Sequence, residues 1–408
     1  MTQLDLHFVR QQFPAFSEPS LEGWAFFENA GGSYACRQTI DRLTEYYRKT
    51  KVQPYAPYPA SVEAGRQMDD AHVRLAAFMN IAEPEVHIGP STSQNTYVLA
   101  QAFRQTMDSG DEVIVTNQDH EANSGVWRRL AETGITVLEW TVDPQTGMLD
   151  PADLADLLSD RTRVVTFPHC SNIVGHINPV AEICEIIHTA GAVAVVDGVS
   201  AAPHGLPDID ALGADIYLFS TYKTYGPHQG VMVVRSSVGE ALPNQSHWFN
   251  EGSPHKRLVP AGPDHAQVAA CNGIIDYFDL IHEHHFDDGG PADERGRRVH
   301  GLIRDHEIEL VTPLLQYLDE RDDVRILGPT EPELRVPTVS FVPTADPAQV
   351  AAALTTHRVM AGAGDFYAVR LIEAMGQPPG DGVVRLSFVH YTSPSEISQC
   401  IEALDAVL

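Results

Sequence analysis

Between residues 86 and 234 the sequence keeps returning to one pattern: a short apolar run, a polar turn, then a segment with helical spacing. The apolar runs fall at 86–88, 112–116, 136–140, 163–167, 192–196, 215–219 and 231–234. Helical patterns separate several of them, at 94–107, 122–132, 151–158 and 179–190. Strands joined through helices lie side by side in the same direction, so this text predicts a large α/β domain built on a mostly parallel seven-stranded sheet. Before it come a short helix and extended lead-in, a helical pattern at 34–47, a Tyr/Pro-rich loop at 54–59 and a helix over 64–79. After about residue 255 the pattern changes. Two longer helices (265–282 and 293–318), strands at 338–341 and 383–388 and a closing helix from Pro394 predict a smaller α+β C-terminal domain. The expected division is 20–260 and 261–408, with residues 1–19 packing on the smaller part.

In an open α/β sheet, ligands bind beyond the carboxyl ends of the strands. Those ends carry Ser91-Thr92-Ser93 opening a helix, Asp119-His120-Glu121, then His169, Ser171 and Asn172, then Asp197, then Ser220, Tyr222 and Lys223. Hydroxyls and free N–H groups at a helix N-terminus suit a phosphate, although a plain Ser/Thr cap reads the same way. The chain has only four lysines, and Lys223 alone follows directly on an apolar strand. A desolvated lysine is an amine nucleophile toward carbonyls, whereas an isolated strand-end lysine often only snorkels. Taken together, a phosphate cradle, a flat imidazole, a strand-end carboxylate and an amine suit pyridoxal 5'-phosphate. In that chemistry the lysine forms a Schiff base and the aspartate keeps the ring nitrogen protonated.

Placed in order, Phe26-Phe-Glu-Asn-Ala-Gly-Gly, Ser91-Thr-Ser-Gln, Asp119-His-Glu-Ala-Asn, Ser171-Asn-Ile-Val-Gly-His-Ile-Asn-Pro, Val196-Asp-Gly-Val-Ser-Ala-Ala-Pro-His, Ser220-Thr-Tyr-Lys-Thr-Tyr-Gly-Pro-His and Val384-Arg-Leu-Ser-Phe-Val-His-Tyr span nearly the whole chain. In that order the sequence resembles the class V aminotransferase/cysteine desulfurase family of fold-type I pyridoxal-phosphate enzymes. The resemblance implies that Lys223 is the Schiff-base lysine and proton shuttle, that Asp197 pairs with the pyridine nitrogen and that His120 stacks on the ring. It implies that Asn172 contacts the phenolic oxygen or the substrate, that Thr92, Ser93 and Ser220, with Ser91 beside them, hold the phosphate, and that Arg385 receives a substrate carboxylate. An amino acid or amine is then the expected substrate, and a homodimer the expected assembly.

The chain departs from the family pattern at four places. Tyr222 stands where a histidine usually precedes the lysine, and its hydroxyl is the expected substitute toward the phosphate. Ser200 replaces a glutamine three residues after the aspartate, and Gly262-Pro263 replaces a partner-subunit Gly-Thr pair. The stretch 361–368 lacks the cysteine on which desulfurases carry sulfur, which argues against persulfide chemistry. Transamination, β-elimination of a C–S or C–X bond, and epimerisation stay open. A non-catalytic pyridoxal-phosphate regulator would bring a basic DNA-binding extension, which the text lacks. A nucleotide-binding α/β protein would bring a P-loop or GxGxxG, also lacking.

The net charge of −28, from 55 acidic against 27 basic residues, argues against nucleic acid or anionic membranes as partners. No signal peptide or membrane span is legible. The five scattered cysteines form neither a zinc pattern nor a disulfide framework, so a reducing cytoplasm is the expected setting and no metal site is expected. His-Glu-His-His at 282–285 reads as a solvated face.

Overall fold

The computed structural model describes residues 2–378 and 380–408. Its central sheet has seven strands: β1 Val86–Gly89, β2 Glu112–Thr116, β3 Thr136–Trp140, β4 Thr162–Pro168, β5 Val193–Asp197, β6 Ile216–Ser220 and β7 Gly230–Val234. Their spatial order is β1-β7-β6-β5-β4-β2-β3. Only β7 runs against its neighbours, so the sheet is mostly parallel, as the alternation of strands and helices predicts. The inner strands β2 and β5 are rich in valine and isoleucine, β6 carries Ile, Leu and two aromatic residues, and they are buried on both faces, the usual condition of a parallel sheet covered by helices. Along β5, Val195 joins one apolar cluster while Ala194 and Val196 join the one on the opposite face, which is the two-residue period of a strand.

Register decides where the polar residues meet. Pro168 of β4 lies beside Asp197 of β5, Asp197 beside Leu218 of β6, and Ser220 beside Gly230. The carboxyl ends of β4, β5 and β6 therefore open on one side of the sheet. The helix Thr92–Arg104, entered directly after β1, starts at the same edge.

A second, antiparallel sheet has β8 Val324–Leu327, β9 Thr338–Pro343, β10 Gly362–Gly364 and β11 Val383–Ser387 in the order β10-β11-β9-β8. Leu310 and Leu314 of the long helix Ala292–Asp319, Phe341, Leu386 and Leu404 fill its core. At the carboxyl end of β11 the Ser387 N–H donates to Phe27 O at 2.8 Å, and Glu28 forms a bridge with Ser387. That contact ties the segment after the short strand Ala25–Phe26 to the second sheet. The first helix, Leu6–Gln11, sends Arg10 to Glu396, and Phe13 packs edge-on against Tyr225, Tyr277 and Tyr391.

The sequence reading and the structure differ at several element ends. The helix expected from 64 starts at Pro59, which suits the first helical turn because its missing N–H has no partner there in any case. The helix expected over 265–282 is two, His265–Ala270 and Asn272–His285, meeting at Cys271, whose N–H is shared between Gln267 O and Val268 O. The 282–285 run is a solvated face only in part: Glu283 and His284 are exposed and His285 is half-buried. His282 is buried, and His284 stacks on Phe8 with ring centres 3.7 Å apart. Glycine-rich β10 and the helices Pro347–Thr356 and Val369–Ala374 are elements whose sequence carries no strong periodic signal.

Candidate active site

One cavity of about 280 Å³ sits at the carboxyl ends of the central strands. Ser91, Thr92, Ser93, His120, Asn172, Asp197, Ser200, Ser220, Tyr222 and Lys223 all line it, together with Pro168, Cys170 and His228. The topology brings these residues together from five separate strand ends. At one end of the cavity Ser91 caps the helix Thr92–Arg104, its Oγ accepting from Gln94 N at 3.2 Å. The Thr92 and Ser220 hydroxyls meet at 2.8 Å. Free N–H groups of a first helical turn beside paired hydroxyls form a site with affinity for an anion.

Lys223 follows β6 on a single turn of 3-10 helix and is only 8% exposed. Burial, reinforced by the positive charge of Arg385, lowers its amine to about 8, against a smaller opposing pull from Asp197 and then Glu28. Asp197 ends β5 and is buried as well. Desolvation pushes its carboxyl up to about 6, while a hydrogen bond from Val199 N and the charge of Lys223 favour the ionised form. A strand-end carboxylate and an amine thus share a low-dielectric cavity, each shifted toward neutrality.

His120 caps the helix Glu121–Arg128 by accepting from Ala122 N at Nδ1, 3.0 Å away. Its imidazole is lowered to about 4, first by burial and then by the charges of Lys223 and Arg385. It is therefore a neutral flat ring at pH 7, with its proton on Nε2. Its neighbour Asp119 accepts from Thr116 Oγ1 and Asn123 Nδ2, which fixes the turn that presents the ring. The Tyr222 ring lies parallel to His228 with centres 4.7 Å apart. His169, at the end of β4, bonds the Tyr217 hydroxyl at 2.8 Å and does not line the cavity.

Arg385 stands apart from the lining. It lies on β11, 3% exposed, and its Nη2 donates to Glu28 Oε1 at 2.5 Å. Nη1 reaches Asn172 O at 3.3 Å, and the Phe366 ring covers the guanidinium at 3.7 Å. The Asn172 amide donates to Phe366 O at 3.0 Å. Glu28, Phe366 and Tyr367 were not singled out by sequence reasoning. Glu28 sits inside the Phe26-to-Gly32 motif, whereas 361–368 carries no sequence signal besides the missing cysteine. Tyr367 lies beside His120, and Glu121 N donates to its carbonyl at 2.7 Å. Gly262 and Pro263 line a different cavity, with Tyr55, His72, Phe249 and His255.

A mostly parallel seven-stranded sheet with its cavity at the strand carboxyl ends, followed by a small antiparallel unit, is the architecture of fold-type I pyridoxal-phosphate enzymes. A solved cysteine desulfurase from Thermococcus onnurineus NA1 has the same fold: the match covers 100% of this chain and 99% of that one, with a TM-score of 0.85 at 23% identity. The family model for class-V aminotransferases matches residues 25–253 and 301–400, and the chain belongs to that family. It is 34% identical over 412 residues to the aminotransferase-like protein FGM3 of Gibberella zeae, covering 98% of each chain. It is also 30% identical over 420 residues to the cysteine desulfurase-like protein ustD of Aspergillus flavus, covering 99% of this chain and 91% of that one.

The family's cofactor is pyridoxal 5'-phosphate, and the chain is an enzyme of its aminotransferase or lyase type. The residues present fit that cofactor. The cavity pairs hydroxyls at a helix start with a buried amine and carboxylate, and Asn172 Oδ1 is buried without a partner among the described residues. A buried acceptor without a donor is costly unless a ligand supplies one.

Proposed function

We propose that this enzyme acts on an amino acid or amine through a covalent C=N link between Lys223 and pyridoxal 5'-phosphate, as an aminotransferase or as a C–S or C–X lyase without a persulfide cysteine. The observation that carries this reading is the Lys223 amine, buried in the cavity and lowered to about 8. When bound, the cofactor supplies a carbonyl for amines and a ring that takes up the electron pair left at a substrate carbon.

The chain's own residues do the rest. Thr92, Ser93 and Ser220 would hold the phosphate with the N–H groups of the helix start, and Ser91 and Ser200 border it. The Asp197 carboxylate would face the ring nitrogen and oppose its positive charge. Neutral His120 offers a flat surface without adding a competing charge. Asn172 supports the phenolic oxygen or the substrate, and Tyr222, held against His228, stands where the family places a histidine. Lys223, as a free amine, takes and returns the proton at the substrate's Cα. Arg385 anchors a carboxylate with paired N–H donors.

Cysteine chemistry has poor footing here. Cys170 lines the cavity but is buried and donates to Gly175 O at 3.2 Å, and burial pushes its thiol up to about 12. The other four cysteines are likewise free and buried. These unpaired thiols also support a cytoplasmic setting; among the described residues no helix is long and apolar enough to cross a membrane.

The chain is further proposed to work as a homodimer. Trp248 (83% exposed) and Phe249 (66%) stand out from the surface beside the cavity of Gly262 and Pro263, with Tyr55 and Tyr58 also exposed. Exposed aromatic surface of this extent favours a partner surface. Sedimentation of the wild type against Phe249→Asp tests it, and a monomeric wild type would rule it out.

The central reading is tested by adding borohydride to the cofactor-loaded protein and mapping the adduct. The expected result is a reduced adduct on Lys223 alone; a wild type that never takes up pyridoxal 5'-phosphate ends the proposal. A panel of amino acids then separates the reactions. Keto-acid formation without ammonia marks transamination, and pyruvate with ammonia or sulfide marks elimination.

A further inference from the structure

Arg385 already holds a carboxylate. Glu28 Oε1 accepts from Nη2 at 2.5 Å, so one donor of the guanidinium is taken before any substrate arrives. The pair is only half made. Glu28 Oε2 is buried without a partner, and so is Arg385 Nε, although an arginine fork and a carboxylate can form two parallel hydrogen bonds. Burial lowers the Arg385 guanidinium from its usual range, the sign of a cation short of compensation.

The seat itself is shaped for a carboxylate. Phe366 closes one face of the guanidinium at 3.7 Å. Glycines leave the room around Glu28: a Cβ on Gly31 would fall 2.9 Å from Oε1, and one on Gly362 would fall 2.6 Å from Oε2. The Glu28 side chain keeps 29% of its surface exposed, so it has a way out to water, whereas Arg385 has none.

We propose that Glu28 is a resident carboxylate in the seat that Arg385 offers a substrate, and that a substrate carboxylate binds there by displacing it. The inference rests on the reading of Arg385 as the substrate anchor. It makes Glu28 a specificity-determining residue. A ligand must present a carboxylate that uses the arginine fork better than Glu28 does, and a ligand with a weaker acceptor leaves the plug in place. Glu28 returning to water regains hydration, and the incoming carboxylate fills both donor positions where Glu28 fills one.

The test is calorimetric titration of the cofactor-loaded enzyme with propionate, which has a carboxylate and no amine and so reports the seat without turnover. Glu28→Gln keeps the shape and removes the charge; it is expected to bind propionate about tenfold or more tightly than wild type. Glu28→Ala removes the resident carboxylate altogether, and it too is expected to bind more tightly. It decides the matter alone should Glu28→Gln not fold. Adding Arg385→Gln to Glu28→Gln is expected to erase the gain. Equal or weaker binding by both single variants overturns the proposal. If Arg385→Gln still weakens wild-type binding in that case, the arginine remains the anchor and only the plug is wrong. If Arg385→Gln changes nothing in either background, the anchor reading falls as well.

Discussion

The Phe366 ring lies against the guanidinium of Arg385, 3.7 Å from Cζ to the ring centre. Both residues near the crest of this segment, Phe366 and Tyr367, adopt positive φ angles of 49° and 60°, a conformation that side-chain-bearing residues rarely take. Such strain persists where surrounding contacts over-determine it. Here those contacts are Asn172 Nδ2 on Phe366 O, Glu121 N on Tyr367 O and the Arg370–Glu121 ion pair.

Phe366→Ala is therefore expected to uncover Arg385. A desolvated cation–π contact is worth about 2 kcal/mol, and its loss leaves one face of the guanidinium open. Phenylglyoxal modification followed by peptide mapping checks this. Arg385 is protected in the wild type and should react severalfold faster in the variant. Equal protection would mean that Glu28 and the backbone alone bury the arginine.

The Lys223 amine carries a second expectation. With its pKa lowered to about 8 from 10.5, roughly a tenth of it is neutral at pH 7, far more than for a solvated lysine. The rate at which the cofactor-free protein is trapped by pyridoxal 5'-phosphate and borohydride should rise with pH to a midpoint near 8. Asp197 opposes the lowering, so Asp197→Asn should move that midpoint further down. A midpoint above 10 in the wild type would remove the argument that burial activates this lysine.

Much of the cavity was legible in the sequence because of one geometric rule. Parallel strands put their carboxyl ends on one side, so polar residues at successive strand ends converge, and Ser91 through Lys223 do so. The Glu28–Arg385 pair was not legible, since its partners are 357 positions apart and meet only where Ser387 of β11 bridges Glu28. Arg385 was read as facing a substrate; that it faces Glu28 needed coordinates. β10 was hidden for another reason. Two of its three residues are glycine, so it carries no side-chain pattern and takes its place from pairing with β11. Tyr222 was assigned by family position alone, and its stacking on His228 depends on the turn at Thr224-Tyr225 between them, where Tyr225 has a φ of 62°.

Asp119 gives a prediction in stability. Burial raises its carboxyl to about 7, against the hydrogen bonds from Asn123 and Thr116 and with the charge of Asp197 adding to the rise. The folded value exceeds the unfolded one of 3.8, so the contribution is fully present below about pH 4 and is lost as pH rises through 7. Asp119→Asn removes that titration while keeping an acceptor for Asn123; toward Thr116 its amide becomes the donor and the hydroxyl the acceptor. The difference in Tm, variant minus wild type, should therefore grow from pH 5 to pH 8. A pH-independent difference would mean that Asp119 is ionised throughout. Asp119→Ala, which strands both donors, should cost about 1–3 kcal/mol at any pH.

Cys170 separates the two kinds of sulfur chemistry open to this family. A persulfide route needs a thiolate that reaches the substrate's sulfur and then leaves the site carrying it. Cys170 lines the cavity, but its thiol is pushed up to about 12 by burial and is bonded to Gly175 O. Only about one part in 10⁵ would be thiolate at pH 7. An eliminating lyase needs no such group, because Lys223 alone can take the Cα proton while the leaving group departs from the β carbon. Cys170→Ser should thus leave turnover of any accepted amino acid within about twofold of wild type, and treatment with an alkylating reagent should not inhibit the folded enzyme. Loss of sulfide release in Cys170→Ser, with keto-acid formation and Tm unchanged, would show that the cysteine carries sulfur after all.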